Sequence, residues 1–355
     1  MSLLHLDFPS GQAGLYGTDS SYMLNGLYAE TQGTTIIDDP DPTITGNVLH
    51  FAQSGTTGRV RRVLSTSGDV VGLAARVYLP SLPNSSLRQV RVFEWRNSDN
   101  ETLLYLNIKT DGYLEVVNSA GTVLGTSSGP SIVTSAWQHV EARAVLSATV
   151  GEFEVRVEGV SKISLTGVNT VGSATPIICT QIAYTSIADN GSKTVASFKD
   201  LMIWDDAGSV NNNFIGSCAV YEIIPDGDVA NTWGLSTGTT GYTLVDEAPP
   251  NDDTDYIYAA SPAPAADKMS LTDLPADVTS VKGLIAIVRS KKTDGGDGNL
   301  QIGMISGAST GLGSDRPLTT AYTYWQDVFE VDPATGVAWT RIGVNAANIQ
   351  FDRTL

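Results

Sequence analysis

Cysteine and histidine are scarce in this chain. Its 355 residues include only Cys179 and Cys218, and only His5, His50 and His139. A disulfide-stapled scaffold is thereby excluded. So is an ordinary Cys/His zinc site, because the two cysteines stand 39 residues apart with no CxxC pair. Two free thiols or a single bridge remain open. Long apolar runs are missing as well: the longest clean stretch, Leu284-Ile285-Ala286-Ile287-Val288, has the length of a strand and falls far short of a bilayer. The segment Met1–Asp7 lacks the basic start of a signal peptide. No membrane insertion is expected. Basic charge is also in short supply, with 21 Lys and Arg against 38 Asp and Glu and a net charge of −17. That balance repels phosphate backbones, so no nucleic-acid partner is expected.

The acidity is concentrated. Residues 222–277 hold eleven acids and one base, Lys268, whereas residues 278–355 carry seven of each sign. The acidic stretch is also rich in proline and turns, as in Ala248-Pro249-Pro250-Asn251-Asp252-Asp253, and both features disfavour regular structure. It is read as a junction and as an inter-subunit or ion-dependent contact.

Helical periodicity is nearly absent, and alternation takes its place. In Glu152-Phe153-Glu154-Val155-Arg156-Val157-Glu158 the apolar residues fall on one face and the charged ones on the other, the mark of a half-buried strand. Similar strands are expected near 72–79, 90–96, 102–109, 113–117, 137–146 and 198–204, and later at 281–290, 299–305, 322–330 and 347–352. Asp111-Gly112 and Asn118-Ser119-Ala120-Gly121 supply turns. The reading is an all-β protein: a large antiparallel sandwich over 1–210, then a smaller β-sandwich over 211–355. Asp332-Pro333-Ala334-Thr335-Gly336 reads as a turn with Trp339 as a core anchor beyond it.

Two stretches resemble known families. Trp137-Gln138-His139-Val140-Glu141-Ala142-Arg143, followed by Gly151 to Gly159, resembles the central strands of laminin-G/concanavalin A-like jelly rolls. The second resemblance runs through Ile203-Trp204-Asp205-Asp206, Asn212-Asn213-Phe214-Ile215-Gly216, Tyr242 to Tyr256, Asp332 to Thr340 and Val344-Asn345-Ala346. It is to structural proteins of tailed bacteriophages and prophages, in which a concanavalin-like sandwich precedes a second β-domain. That resemblance implies a virion component, a capsid decoration or a part of the tail or an appendage. Such a protein would be assembled in the host cytoplasm, released by lysis, and joined to other phage structural proteins and to copies of itself. A host-surface glycan-binding, lectin-like module of the virion is the alternative.

The candidate chemistry is sparse. Glu152, Glu154 and Glu158 share a strand face with Arg156 but lack the Glu-x-Asp-x-x-Glu arrangement of a glucanase pair. Gly307-Ala308-Ser309-Thr310-Gly311 matches a nucleophile elbow, yet no histidine follows it. The protein is therefore read as not an enzyme. No organic cofactor is expected. Calcium is the one inorganic candidate, through Asp252, Asp253 and Asp255, with Asp38 to Pro42 and Asp294 to Asn299 as further oxygen-rich loops; all three also read as solvated turns. For a glycan, Tyr16, Tyr22, Tyr28, Trp95 and Tyr113, or Tyr322, Tyr324 and Trp325, offer stacking faces or core fillers. Gly58-Arg59-Val60-Arg61-Arg62-Val63 is the single basic cluster, read as a contact for another subunit's acidic stretch or as a solvated strand face.

Overall fold

The computed structural model describes residues 2–7, 30–32, 34–38, 40, 47–51, 57–83, 89–188, 196–247, 250–260 and 265–354. Tyr16, Tyr22, Tyr28, Asp39 and Asp41 lie outside them. The chain divides into two units, Ser2–Val220 and Tyr221–Leu355, each with its own core. No helix among the described residues is long and apolar enough to cross a membrane.

The first unit is built from β1 (Leu3–Asp7), β2 (Glu30–Gln32), β3 (Thr34–Asp38), β4 (Asn47–Phe51), β5 (Thr57–Gly68), β6 (Val70–Tyr78), β7 (Gln89–Arg96) and β8 (Thr102–Lys109). It continues with β9 (Leu114–Asn118), β10 (Val123–Thr126), β11 (Trp137–Val145), β12 (Gly151–Val157), β13 (Val160–Val168), β14 (Cys179–Ala188) and β15 (Ser197–Asp205). One antiparallel sheet runs β13-β12-β11-β6-β15-β4-β3, with β1 also on β15; the second runs β10-β9-β8-β7-β14-β5-β2. Leu73, Val140, Val155 and Ile203 of the first sheet meet Phe93, Leu106, Val116 and Tyr184 of the second in one core. Alternation thus gives the expected jelly-roll sandwich. Asp111-Gly112 turns β8 into β9 with Gly112 at φ 77°, a backbone that favours glycine. Close packing fixes another glycine: a Cβ on Gly72 would lie 2.0 Å from the Trp204 ring.

The first unit extends past 210 to Val220, because residues 214–220 are bound to the outer face of the first sheet. Glu141 accepts from Ile215 N at 2.5 Å and from Gly216 N at 3.2 Å, and Asp200 accepts from Val220 N at 2.8 Å. The Phe214 ring lies 3.7 Å under the Arg156 guanidinium.

In the second unit β16 (Pro225–Ala230), β19 (Asp267–Leu271), β21 (Asn299–Ser306), β22 (Ser309–Pro317) and β24 (Asn348–Arg353) form a sheet in the order β16-β19-β24-β21-β22. The ribbons β17 (Gly234–Leu235) with β18 (Ile257–Tyr258), and β20 (Leu284–Ser290) with β23 (Thr323–Phe329), complete its strands, and α1 (Arg341–Asn345) is capped by Thr340. Met269, Ile302, Phe329, Trp339 and Phe351 share the core, and Trp339 Nε1 donates to the Phe329 carbonyl at 3.0 Å. The acidic stretch is more regular than its composition suggests, since it supplies β16 and β19. Two of its carboxylates hold backbone: Asp228 accepts from Gly241 N and Tyr242 N at 2.8 and 2.7 Å, and buried Asp267 accepts from Lys268 N at 3.1 Å. Burial raises the Asp267 pKa.

Candidate functional site

Strand alternation decides which side chains of the second sheet face away from the core. Leu104, Leu106 and Ile108 of β8, Ile182 and Tyr184 of β14, and Val60 of β5 point inward. Tyr105, Asn107, Gln181, Ala183, Thr185, Arg59 and Arg61 therefore point outward. On β7 a register shift between Arg91 and Phe93 buries Val90, Val92, Phe93 and Trp95 together, and leaves Arg91, Glu94 and Arg96 on the outer face. Cross-strand register then sets the neighbours. Glu94 stands between Tyr105 and Ala183, Ala183 is also opposite Arg61, and Arg91 is opposite Asn107.

Three arginines converge on Glu94, which is fully buried. Arg91 Nη1 lies 2.6 Å from Oε1, Arg96 Nη1 2.6 Å from Oε2, and Arg59 Nε 3.4 Å from Oε2. Arg91 also stacks 3.6 Å from the Tyr105 ring centroid. Arg96 donates to Asn100 Oδ1 at 2.9 Å and Thr102 Oγ1 at 2.8 Å, and Arg61 donates to Gln181 Oε1. Nearby Lys109 and Glu115 neutralise each other at 3.4 Å. Four guanidiniums, those of Arg59, Arg61, Arg91 and Arg96, thus share this face of a chain of net charge −17, around Glu94 and with Glu30 of β2 in register with Arg61. Arg59 and Arg61 are legible in the sequence as a basic cluster, and the fold places them half-buried on this strand face, Arg59 beside Glu94 and Arg61 beside Gln181. Sequence reasoning missed Arg91, Glu94, Arg96 and Asn107; the available signal was three charges set inside the apolar strand Val90-Arg91-Val92-Phe93-Glu94-Trp95-Arg96.

The first sheet's outer face is occupied by residues 214–220. On it His139 is fully buried, with neither ring nitrogen partnered among the described residues. Burial, aided by the Arg76 cation, pushes its pKa down to about 4. Glu154 bonds Arg156 at 2.8 Å and Glu152 lies 3.5 Å from Arg143, so these carboxylates are paired on a strand face.

The other sequence candidates scatter. Asp252 pairs with Arg289, at 2.5 and 2.9 Å, and Asp253 with Lys291 at 2.6 Å. Hydrogen bonds from Lys291 and Tyr322 lower the Asp253 pKa. Asp255 is beside Glu247, whose pKa is raised by burial and then by Asp255. Among the described residues no three His, Cys, Asp or Glu side chains form a metal-holding group. In the other oxygen-rich loop, Asp294 accepts from Gly296 N at 3.0 Å and Asn299 donates to Asp315 at 2.7 Å. Trp95 is buried, its ring edge-on to Phe153 and its Nε1 3.0 Å from the Val71 carbonyl. Tyr322 and Tyr324 flank Arg289 at 5.1 and 4.9 Å, and Trp325 packs on the core. Ser309 opens β22 in a hairpin whose turn is Gly307 at φ 57°, a context unlike a strand–turn–helix elbow. Both cysteines are free, and burial raises the Cys179 thiol to about 12.

No family model and no curated protein matches this chain. Among solved structures it is similar to an endo-β-1,4-glucuronan lyase from the fungus Trichoderma reesei, at 11% identity over 51% of this chain and 92% of that one, TM-score 0.39. An alginate lyase of polysaccharide lyase family 7 is similar at 17% identity over 49% and 83%, TM-score 0.35. The carbohydrate-binding module CBM66 from Bacillus subtilis is similar at 11% identity over 50% and 94%, TM-score 0.32. The neighbours are thus carbohydrate-active or carbohydrate-binding β-sandwich proteins, and none of them assigns an activity to this chain. They do correct the expectation that the protein is not an enzyme, since lyases stand among its structural neighbours. That expectation rested on hydrolase patterns. Elimination needs a proton acceptor rather than a carboxylate pair or a serine nucleophile, so the absence of those patterns does not exclude it.

Proposed function

We propose that the first unit is a glycan-binding, lectin-like module whose site is the outer face of the second sheet, and that its glycan is acidic. The observation that carries this reading is the convergence of Arg59, Arg91 and Arg96 on buried Glu94, beside Tyr105 and Asn107. Guanidiniums gathered on one carboxylate present planar donor edges that suit carboxylate or sulfate groups. An aromatic ring and an amide beside them suit the apolar face and the hydroxyls of a sugar.

The test is a binding panel of immobilised polyuronate, sulfated polysaccharide and neutral glucan. Retention on one or both acidic polymers and none on the glucan is expected. Equal retention on the neutral polymer, or none anywhere, overturns the reading.

For the setting we propose a virion, on the sequence resemblance of residues 203–256 and 332–346 to phage structural proteins. There the second unit would join other capsid or tail proteins and the first would meet the host surface. Immunolabelling of purified particles tests it: label on the particle is expected, and label confined to the soluble lysate overturns it.

A further inference from the structure

We propose that Asn107 is a specificity-determining residue of this face, its side-chain amide taking a hydroxyl of the sugar unit whose anionic group the arginines hold. The inference rests on the glycan-binding reading above.

Asn107 is fully buried although its strand alternation turns it away from the core. Neither Oδ1 nor Nδ2 has a hydrogen-bonding partner among the described residues. Buried amides left wholly unpaired are rare in native proteins, and each demands a missing partner. Charge and position indicate which one. Asn107 is directly opposite Arg91 on one side and Glu115 on the other. An amide exposes an acceptor and a donor side by side. A bare carboxylate or sulfate only accepts and would leave Oδ1 facing like charge, whereas a hydroxyl both donates and accepts. Arg91 is the element that moves. Its side chain is 24% exposed, its Nε is unpartnered, and it rests on the Tyr105 ring and one Glu94 oxygen. An anionic ligand group draws the guanidinium off the ring and opens the way to Asn107. Anion and hydroxyl are thus read together, as on a uronic acid unit.

The test measures binding of a galacturonate tetrasaccharide, with thermal unfolding in parallel, for the wild type, Asn107→Leu, Asn107→Ser and Arg91→Ala. Asn107→Leu relieves the unpaired amide, so it is expected to melt no lower than the wild type while its affinity drops about ten-fold or more. Asn107→Ser, which keeps a hydroxyl, is expected to fall between the two and guards against misfolding of the leucine variant. Wild-type affinity in both Asn107 variants, with binding lost in Arg91→Ala, overturns the role of Asn107 and leaves the glycan reading standing. Absence of binding by the wild-type protein to this probe overturns the inference at its root, while the panel of acidic and neutral polymers decides the broader reading separately.

Discussion

The Arg91 guanidinium lies 3.6 Å from the centroid of the Tyr105 ring, on a sheet face turned away from the core. Stacking of this kind orients the cation along the ring and leaves its donor edge for other groups. Here that edge already meets Glu94. The carboxylate therefore acts as the organiser of the face: it gathers Arg59, Arg91 and Arg96 on one buried group.

Removing that organiser leaves several poorly hydrated cations without a counter-charge. Glu94→Ala is expected to destabilise the first unit by about 3 kcal/mol, in the range for breaking a buried ion pair. Urea unfolding checks this. An unchanged midpoint would mean that the arginines are held without Glu94.

His139 makes stability depend on pH. Its folded pKa is lowered from 6.5 to about 4 because burial disfavours the imidazolium. As pH falls, the unfolded chain takes the proton first. The contribution is complete above the unfolded value and is lost between 6.5 and about 4. A gap of that size corresponds to about 3 kcal/mol. Comparing wild type with His139→Gln from pH 7 to pH 4 isolates it: the variant is expected to show a flatter loss, and parallel curves would contradict the assignment.

Gly72→Ala tests the packing of the first sheet. The new methyl would lie 2.0 Å from the ring of Trp204, its cross-strand partner, so the buried indole must shift against its close-packed neighbours. A loss of about 2 kcal/mol or more is expected. A calorimetric melt at the wild-type temperature would show that the ring has room to move.

Much of the architecture was legible because alternation is a local signal. β12, β11, β8 and the Asp111-Gly112 hairpin follow directly from the residues. β13 and β22 were not legible: they are edge strands of small and polar residues, with Ser161, Lys162, Ser164, Thr310 and Ser314 among them, and only pairing makes them strands. The role of the acidic stretch was hidden for a different reason. Its carboxylates bind backbone N–H groups and the distant Arg289 and Lys291, partners that only the fold brings near. The candidate site divides the same way. Arg59 and Arg61 stand out as a basic cluster, but the shift at Arg91/Phe93 that turns Arg91, Glu94 and Arg96 to one side depends on pairing with β8. Asn107 carries no mark in sequence at all.

The central claim is that the arginine-lined face binds an acidic glycan by charge. Calorimetric titration of soluble polyuronate into the wild-type protein and into Arg91→Ala, at rising salt, tests it most directly. Binding that weakens steadily with salt and is lost in the variant is the predicted result. Salt-independent binding of equal strength in both proteins would contradict it.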